Sequence, residues 1–186
     1  MSRTQVRGAA RQQVTIRQAC AADRPALGAF LTGLSPRSRY LRFFSGGSPA
    51  GAMLRILAGG ADYVDALVAT EDDVIIGHAM AADGFGPGGA HETEIGVVVA
   101  EARRGLGVGS SLIRLLTARA QDRGATALVM EVLAENRQVL TMIADHWPVA
   151  DYERSGVAIT IRARLPQPDP PRLPAVLRPA VLRPGD

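Results

Sequence analysis

The stretch Glu92-Thr93-Glu94-Ile95-Gly96-Val97-Val98-Val99-Ala100-Glu101-Ala102-Arg103-Arg104-Gly105-Leu106-Gly107-Val108-Gly109-Ser110-Ser111-Leu112 decides the fold. Its β-branched first half predicts a strand. Leu112, Leu115, Leu116 and Ala120 then recur at helical spacing, which predicts an amphipathic helix. Between them, the glycines at 105, 107 and 109 let the backbone turn its N–H groups toward one point. The helix start adds unpaired donors and a positive dipole end. A strand, an anion cradle and a helix therefore follow one another, and a phosphate suits the cradle.

Such a loop has several known uses. A nucleotide-hydrolysing P-loop needs a lysine after its last glycine, and all 21 Lys+Arg residues here are arginine, which excludes it. A dinucleotide fingerprint needs a third glycine where Ser110 stands, and glycines directly after the strand; Ala100 to Arg104 intervene. A tight connection with no ligand is the remaining bland reading.

Arg104-Gly105-Leu106-Gly107-Val108-Gly109 also has the pattern Arg/Gln-x-x-Gly-x-Gly/Ala, the coenzyme A pyrophosphate loop of the GNAT acyltransferases. From Val14 to Leu165 the chain resembles a GNAT N-acetyltransferase. Leu34-Ser35-Pro36-Arg37-Ser38-Arg39-Tyr40-Leu41-Arg42-Phe43-Phe44 is similar to the corresponding segment of bacterial Pat-type protein-lysine acetyltransferases. The resemblance implies an α/β (α+β) fold with a mixed central sheet of about six to seven strands and about four to five helices. It implies an acetyl-CoA-dependent transfer to a primary amine, a protein lysine in Pat-type relatives. Acetylation of a small amine and a non-catalytic acyl-CoA-binding module are the alternatives.

The resemblance also distributes roles. Glu94 matches the family's general base, with Glu92 second, because alternation puts both on one face. A base is needed: a lysine amine of pKa near 10.4 carries a handicap of about 4.6 kcal/mol at pH 7. Val97, Val98 and Val99 match the strand positions that polarise the thioester and pair with pantetheine. Arg104, Gly105, Leu106, Gly107, Val108, Gly109 and Ser110 would hold the pyrophosphate, and Asn136 would approach the cofactor. Tyr40 and Phe44 would wall the acceptor site. Where many relatives have a tyrosine that protonates the leaving thiolate, this chain has Ile143.

Composition agrees with one domain. At 186 residues and 47% hydrophobic content the chain can bury a substantial core. Its net charge of +3 is spread without clustering, which argues against a nucleic-acid groove. The lone Cys20 forbids an internal disulfide and reads as a core residue. No apolar run approaches a membrane span and Met1 to Gln13 lacks a signal-peptide core, so a cytoplasmic protein is expected. Residues 1–13 read as an extension and 14–165 as the domain. Residues 166–186, rich in proline, read as a disordered tail. Arg37, Arg39 and Arg42 are expected on a solvated helix face, and Asp83 to Ala90, rich in glycine, as a mobile loop.

Overall fold

Seven strands form one sheet in the order β1-β2-β3-β4-β5-β7-β6. The computed structural model describes residues 14–47 and 49–167; the extension 1–13 and residues 168–186 of the expected tail lie outside them. The strands are β1 (Val14–Gln18), β2 (Val64–Glu71), β3 (Val74–Phe85), β4 (His91–Val99), β5 (Ala127–Leu133), β6 (Asp151–Ser155) and β7 (Ala158–Arg164). The helices are α1 (Arg24–Gly33), α2 (Pro36–Phe43), α3 (Ala52–Leu57), α4 (Val108–Asp122) and α5 (Arg137–His146). All neighbouring strands pair antiparallel except β4 and β5, which run parallel. This is the expected mixed sheet flanked by helices.

Each face of the sheet buries its own apolar cluster. Leu112, Leu116 and Ala120 of α4 and Ile143 of α5 pack with Ile95, Val99, Leu128 and Met130 on one face. Leu27 and Leu31 of α1 and Leu57 of α3 pack with Ala66, Val68 and Val98 on the other. Leu112 is fully buried, and Gly77 of β3 gives it room: a Cβ at 77 would stand 3.2 Å from a Leu112 methyl. Leu112→Ala should therefore cost roughly 2–5 kcal/mol of stability, measurable by denaturant unfolding.

Asp72 and Asp73 both adopt positive φ (48° and 62°), the geometry of a two-residue turn that matches strand twist, and β2–β3 closes there. The Asp83 to Ala90 expectation is corrected. β3 continues to Phe85, pairing Asp83 with Thr93 and Phe85 with His91, and only a short turn at Pro87–Gly89 remains. Pairing overrides the poor strand propensity of this segment. Asp83 is held by Thr93 Oγ1 at 2.7 Å and Arg123 Nε at 2.8 Å. Cys20 is also corrected: it is exposed at the end of β1, not in the core.

His78 of β3 is completely buried between sheet and α3, where its Nε2–H donates to the Leu57 carbonyl at 2.8 Å. Its Nδ1 has no partner among the described residues. Burial, then the nearby Arg42 charge, push its pKa down to about 4, against an ordinary value of 6.5. The unfolded chain therefore binds the proton first, and stability is lost as pH falls from about 6.5 through 4. Melting temperature should drop across that window, and His78→Asn should flatten that part of the profile.

Candidate active site

The sheet splits in its middle. β4 and β5 pair only at Glu92–Ala127, Thr93–Leu128 and Glu94–Val129. Beyond Glu94, β4 continues to Val99 on β3 alone and β5 continues to Leu133 on β7 alone. A cleft of about 500 Å³ opens in the gap.

The ladder phase decides which backbone groups line that gap. Gly86 N–H donates to the Ala90 carbonyl, and Ala100 N–H to that of Ile76, so even-numbered residues of β4 face β3. Val97 and Val99 consequently turn their N–H and C=O groups toward the opening, while the Ile95 N–H still closes the last β4–β5 pairing, Glu94 with Val129. Val97 and Val99 agree in placement with their expected role. Val98 also lines the cleft, but its backbone groups face β3 and its side chain packs in the core.

At one end of the cleft lies the glycine loop. Gly105 and Gly107 have φ of 73° and 83°, a region that side chains with a Cβ rarely adopt. Gly107 is the N-cap of the 15-residue α4 and supplies no side-chain cap. The N–H groups of Val108, Gly109 and Ser110 therefore have no intrahelical acceptor. Gly105, Gly107, Gly109 and Ser110 line the cleft. Leu106 is exposed, and Val108 turns its side chain into the core, leaving only its backbone at the loop.

Arg104 is more occupied than expected. Its Nη2 donates to Ser38 Oγ at 2.7 Å and its Nε to the Val99 carbonyl at 3.3 Å. Ser38 Oγ in turn donates to Glu101, which also accepts from Ser35 N–H. Burial raises the Glu101 pKa, but the Ser38 and Ser35 hydrogen bonds outweigh it and hold the carboxyl at about 2. The start of α2 is thereby tied to the loop.

Glu94 is exposed in the cleft, beside the point where the strands part. Glu92 is elsewhere. Its carboxylate is paired with Arg162 at 2.8 and 3.3 Å, lies against Gly86, and does not line the cleft. Sharing a strand face with Glu94 was legible; the Arg162 partner on β7 was not.

On α2, Ser35 Oγ accepts from Ser38 N–H and Pro36 occupies the first turn, as the local signals predict. Phe44 ends the helix with φ of 55° and lines the cleft. Tyr40, expected to line it, is half-buried and not among the lining residues. Of the expected solvated arginine face, Arg37 is exposed and pairs at the surface with Glu135, but the expectation is corrected for the other two: Arg39 donates to the Thr32 and Leu34 carbonyls, and Arg42 lies in the cleft.

Asn136 lines the cleft from the start of α5. Its ψ of 61° is not the extended value of a side-chain cap, and no such bond forms, so its amide is free of that duty. Met142 and the buried Ile143 close that side with apolar surface. Glu131 of β5 also lines the cleft, and its single clue in the sequence was its place in a short apolar run.

The model of the acetyltransferase (GNAT) family matches residues 38–144. The chain belongs to that family and is an acetyltransferase that uses acetyl-CoA and an amine acceptor. No curated protein matches it significantly. Among solved structures it is similar to the GNAT domain of S. lividans PAT, with 24% identity over 81% of this chain and 89% of that one, and a TM-score of 0.72. A ribosomal-protein-alanine N-acetyltransferase from Brucella melitensis shares 21% identity over 81% of this chain and 99% of its own, with a TM-score of 0.63. The yncA structure from Salmonella typhimurium, solved with its cofactor acetyl-CoA, shares 18% identity over 88% of this chain and 99% of its own, at TM-score 0.61. Among the described residues no helix is long and apolar enough to cross a membrane.

Proposed function

We propose that the chain acetylates a protein lysine ε-amine by direct attack within a ternary complex. The observation that carries this reading is Glu94, an exposed carboxylate at the opening of the β4–β5 gap, with backbone donors turned into the same gap. Acetyl-CoA would lay its pyrophosphate on the N–H groups of residues 105–110 and its pantetheine along Val97 and Val99. Asn136 adds an amide on the opposite side. Glu94 takes the proton of the ammonium, directly or through water, and the freed lone pair attacks the thioester carbon. The charge that develops on the carbonyl oxygen meets the Val97 N–H. The C–S bond then breaks. Apolar Ile143 cannot protonate the departing sulfur, whose thiol pKa near 8.5 lets it leave as thiolate and take a proton from water.

A protein acceptor is favoured over a small polycation by the charges in the cleft. Its lining carboxylates are Glu94 and Glu131, against the arginines 42, 103 and 104. A polyamine or aminoglycoside would need a cluster of acids. Resemblance of residues 34–44 to Pat-type lysine acetyltransferases points the same way.

The test is to supply acetyl-CoA with lysine peptides, spermidine, an aminoglycoside and a lysate, and to follow both thiol release and acetylated product by mass spectrometry. Lysine peptides should show the higher kcat/KM. Efficient turnover of a free small amine with no acetylated protein would favour the small-molecule reading. Tight acetyl-CoA binding without product from any amine would favour a non-catalytic module.

A further inference from the structure

Arg42 stands apart from the other arginines. Among the described residues, the half-buried ones otherwise all have partners: Arg39 two carbonyls, Arg103 Glu71, Arg119 Asp65 and Arg162 Glu92. Arg42 is half-buried, lines the cleft, and has no hydrogen bond or ion pair there. Its Nε is wholly buried and unpartnered. The guanidinium sits 5.0 Å from the Phe43 ring, a contact that fills none of its donors. An unpaired charge held away from water is costly, and it persists where something else is arranged to meet it.

The strand has been shaped for this side chain. The Arg42 guanidinium lies directly over Gly96 of β4, so that a Cβ at 96 would overlap its central carbon and both terminal nitrogens. Gly96 shares a strand face with Glu94, two residues away, or about 6.6 Å along the strand. Burial draws the Arg42 pKa down to about 10, partly opposed by the Glu94 charge. It stays cationic at neutral pH. The acceptor end thus presents one anion and one planar, fork-shaped cation side by side.

That fork matches a carboxylate in bidentate geometry. The pyrophosphate loop at Gly105–Ser110 already serves the cofactor's anions at the other end of the cleft. A doubly charged phosphate beside Glu94 would be repelled by it. With a peptide lysine as acceptor, an acidic side chain next to that lysine can reach the fork while the amine stands at Glu94. We propose that Arg42 is the specificity-determining residue of the acceptor site, binding the carboxylate of an aspartate or glutamate that flanks the acetylated lysine. This rests on the protein-lysine reading above.

The test compares lysine peptides carrying Asp or Glu beside the lysine with the same peptides carrying Asn or Gln. Wild type should prefer the acidic peptides by about tenfold to a hundredfold in kcat/KM, the range of a charge-assisted pair. Arg42→Gln should bring the ratio close to one, mainly through KM. Gly96→Ala should do the same by displacing the guanidinium. Acetyl-CoA affinity, measured by calorimetry, reports that each variant is folded. Turnover of all peptides without acidic preference, or a preference that survives in Arg42→Gln, overturns this inference and leaves the protein-lysine reading standing. A variant effect confined to succinyl-CoA against acetyl-CoA would place the carboxylate on the acyl group and also overturn it. No turnover of any peptide would remove the protein-lysine reading itself, and this one with it.

Discussion

Replacing Glu94 by Gln should lower kcat/KM for a lysine peptide by roughly a hundredfold or more near pH 7, while acetyl-CoA binds as before. The amide keeps the shape and removes the proton affinity, so the acceptor must arrive already neutral. Its neutral fraction grows tenfold per pH unit below its own pKa, and the deficit should shrink steadily as the assay moves toward pH 10. Two other carboxylates serve as internal comparisons. Glu92→Gln breaks the Arg162 pair and should show its effect in melting temperature rather than in this pH profile. Glu131 lines the cleft from the opposite strand. If Glu131→Gln produced the pH-rescued loss and Glu94→Gln did not, the base would belong on β5.

Gly107→Asp should weaken acetyl-CoA binding by about a hundredfold or more while the protein stays folded. The position has a φ of 83° and no atom within 4 Å of where a Cβ would stand, so the side chain meets no clash. Asp also tolerates the left-handed region better than most residues. What it adds is a carboxylate at the positive end of α4, where the N–H groups of residues 108–110 are unfilled. Gly107→Ala separates the two causes, since it brings backbone strain without charge and should weaken binding far less. Calorimetric titration of each variant, beside its circular dichroism spectrum, provides the measurement. Equal affinity for Gly107→Asp and wild type would remove the pyrophosphate from this loop.

The legible parts of this chain are those whose causes are local. The cradle needs glycines at two positive-φ positions and a helix start, and both are written within Arg104–Ser110. The shared face of Glu92 and Glu94 follows from strand alternation alone. Which of the two is free depends on Arg162, 70 residues away, and no spacing rule reaches that far. Arg42 was misplaced for a related reason: helix periodicity identifies an apolar stripe, but Gly96 on a distant strand makes room for a cation beside it. Asp83–Phe85 was misjudged because composition was weighed without its partner strand, and Thr93 and Arg123 hold Asp83 where glycine content predicted freedom. Asn136 occupies the N-cap position of α5, but its side chain makes no capping hydrogen bond, a detail that residue type alone does not reveal.

The three residue pairs that join β4 to β5 make the middle of the sheet its weakest seam. Four strands lie on one side and three on the other. A molecule lodged in the seam touches both halves, as a rivet joins two plates, and binds only while they are aligned. Resistance to unfolding then follows ligand supply: at a concentration a hundred times the dissociation constant, mass action alone adds about 2.7 kcal/mol. The backbone amides of Val97 and Val99 give the local readout. Turned into an open seam, they should exchange their hydrogens quickly in the free protein and slowly once acetyl-CoA bridges the two halves.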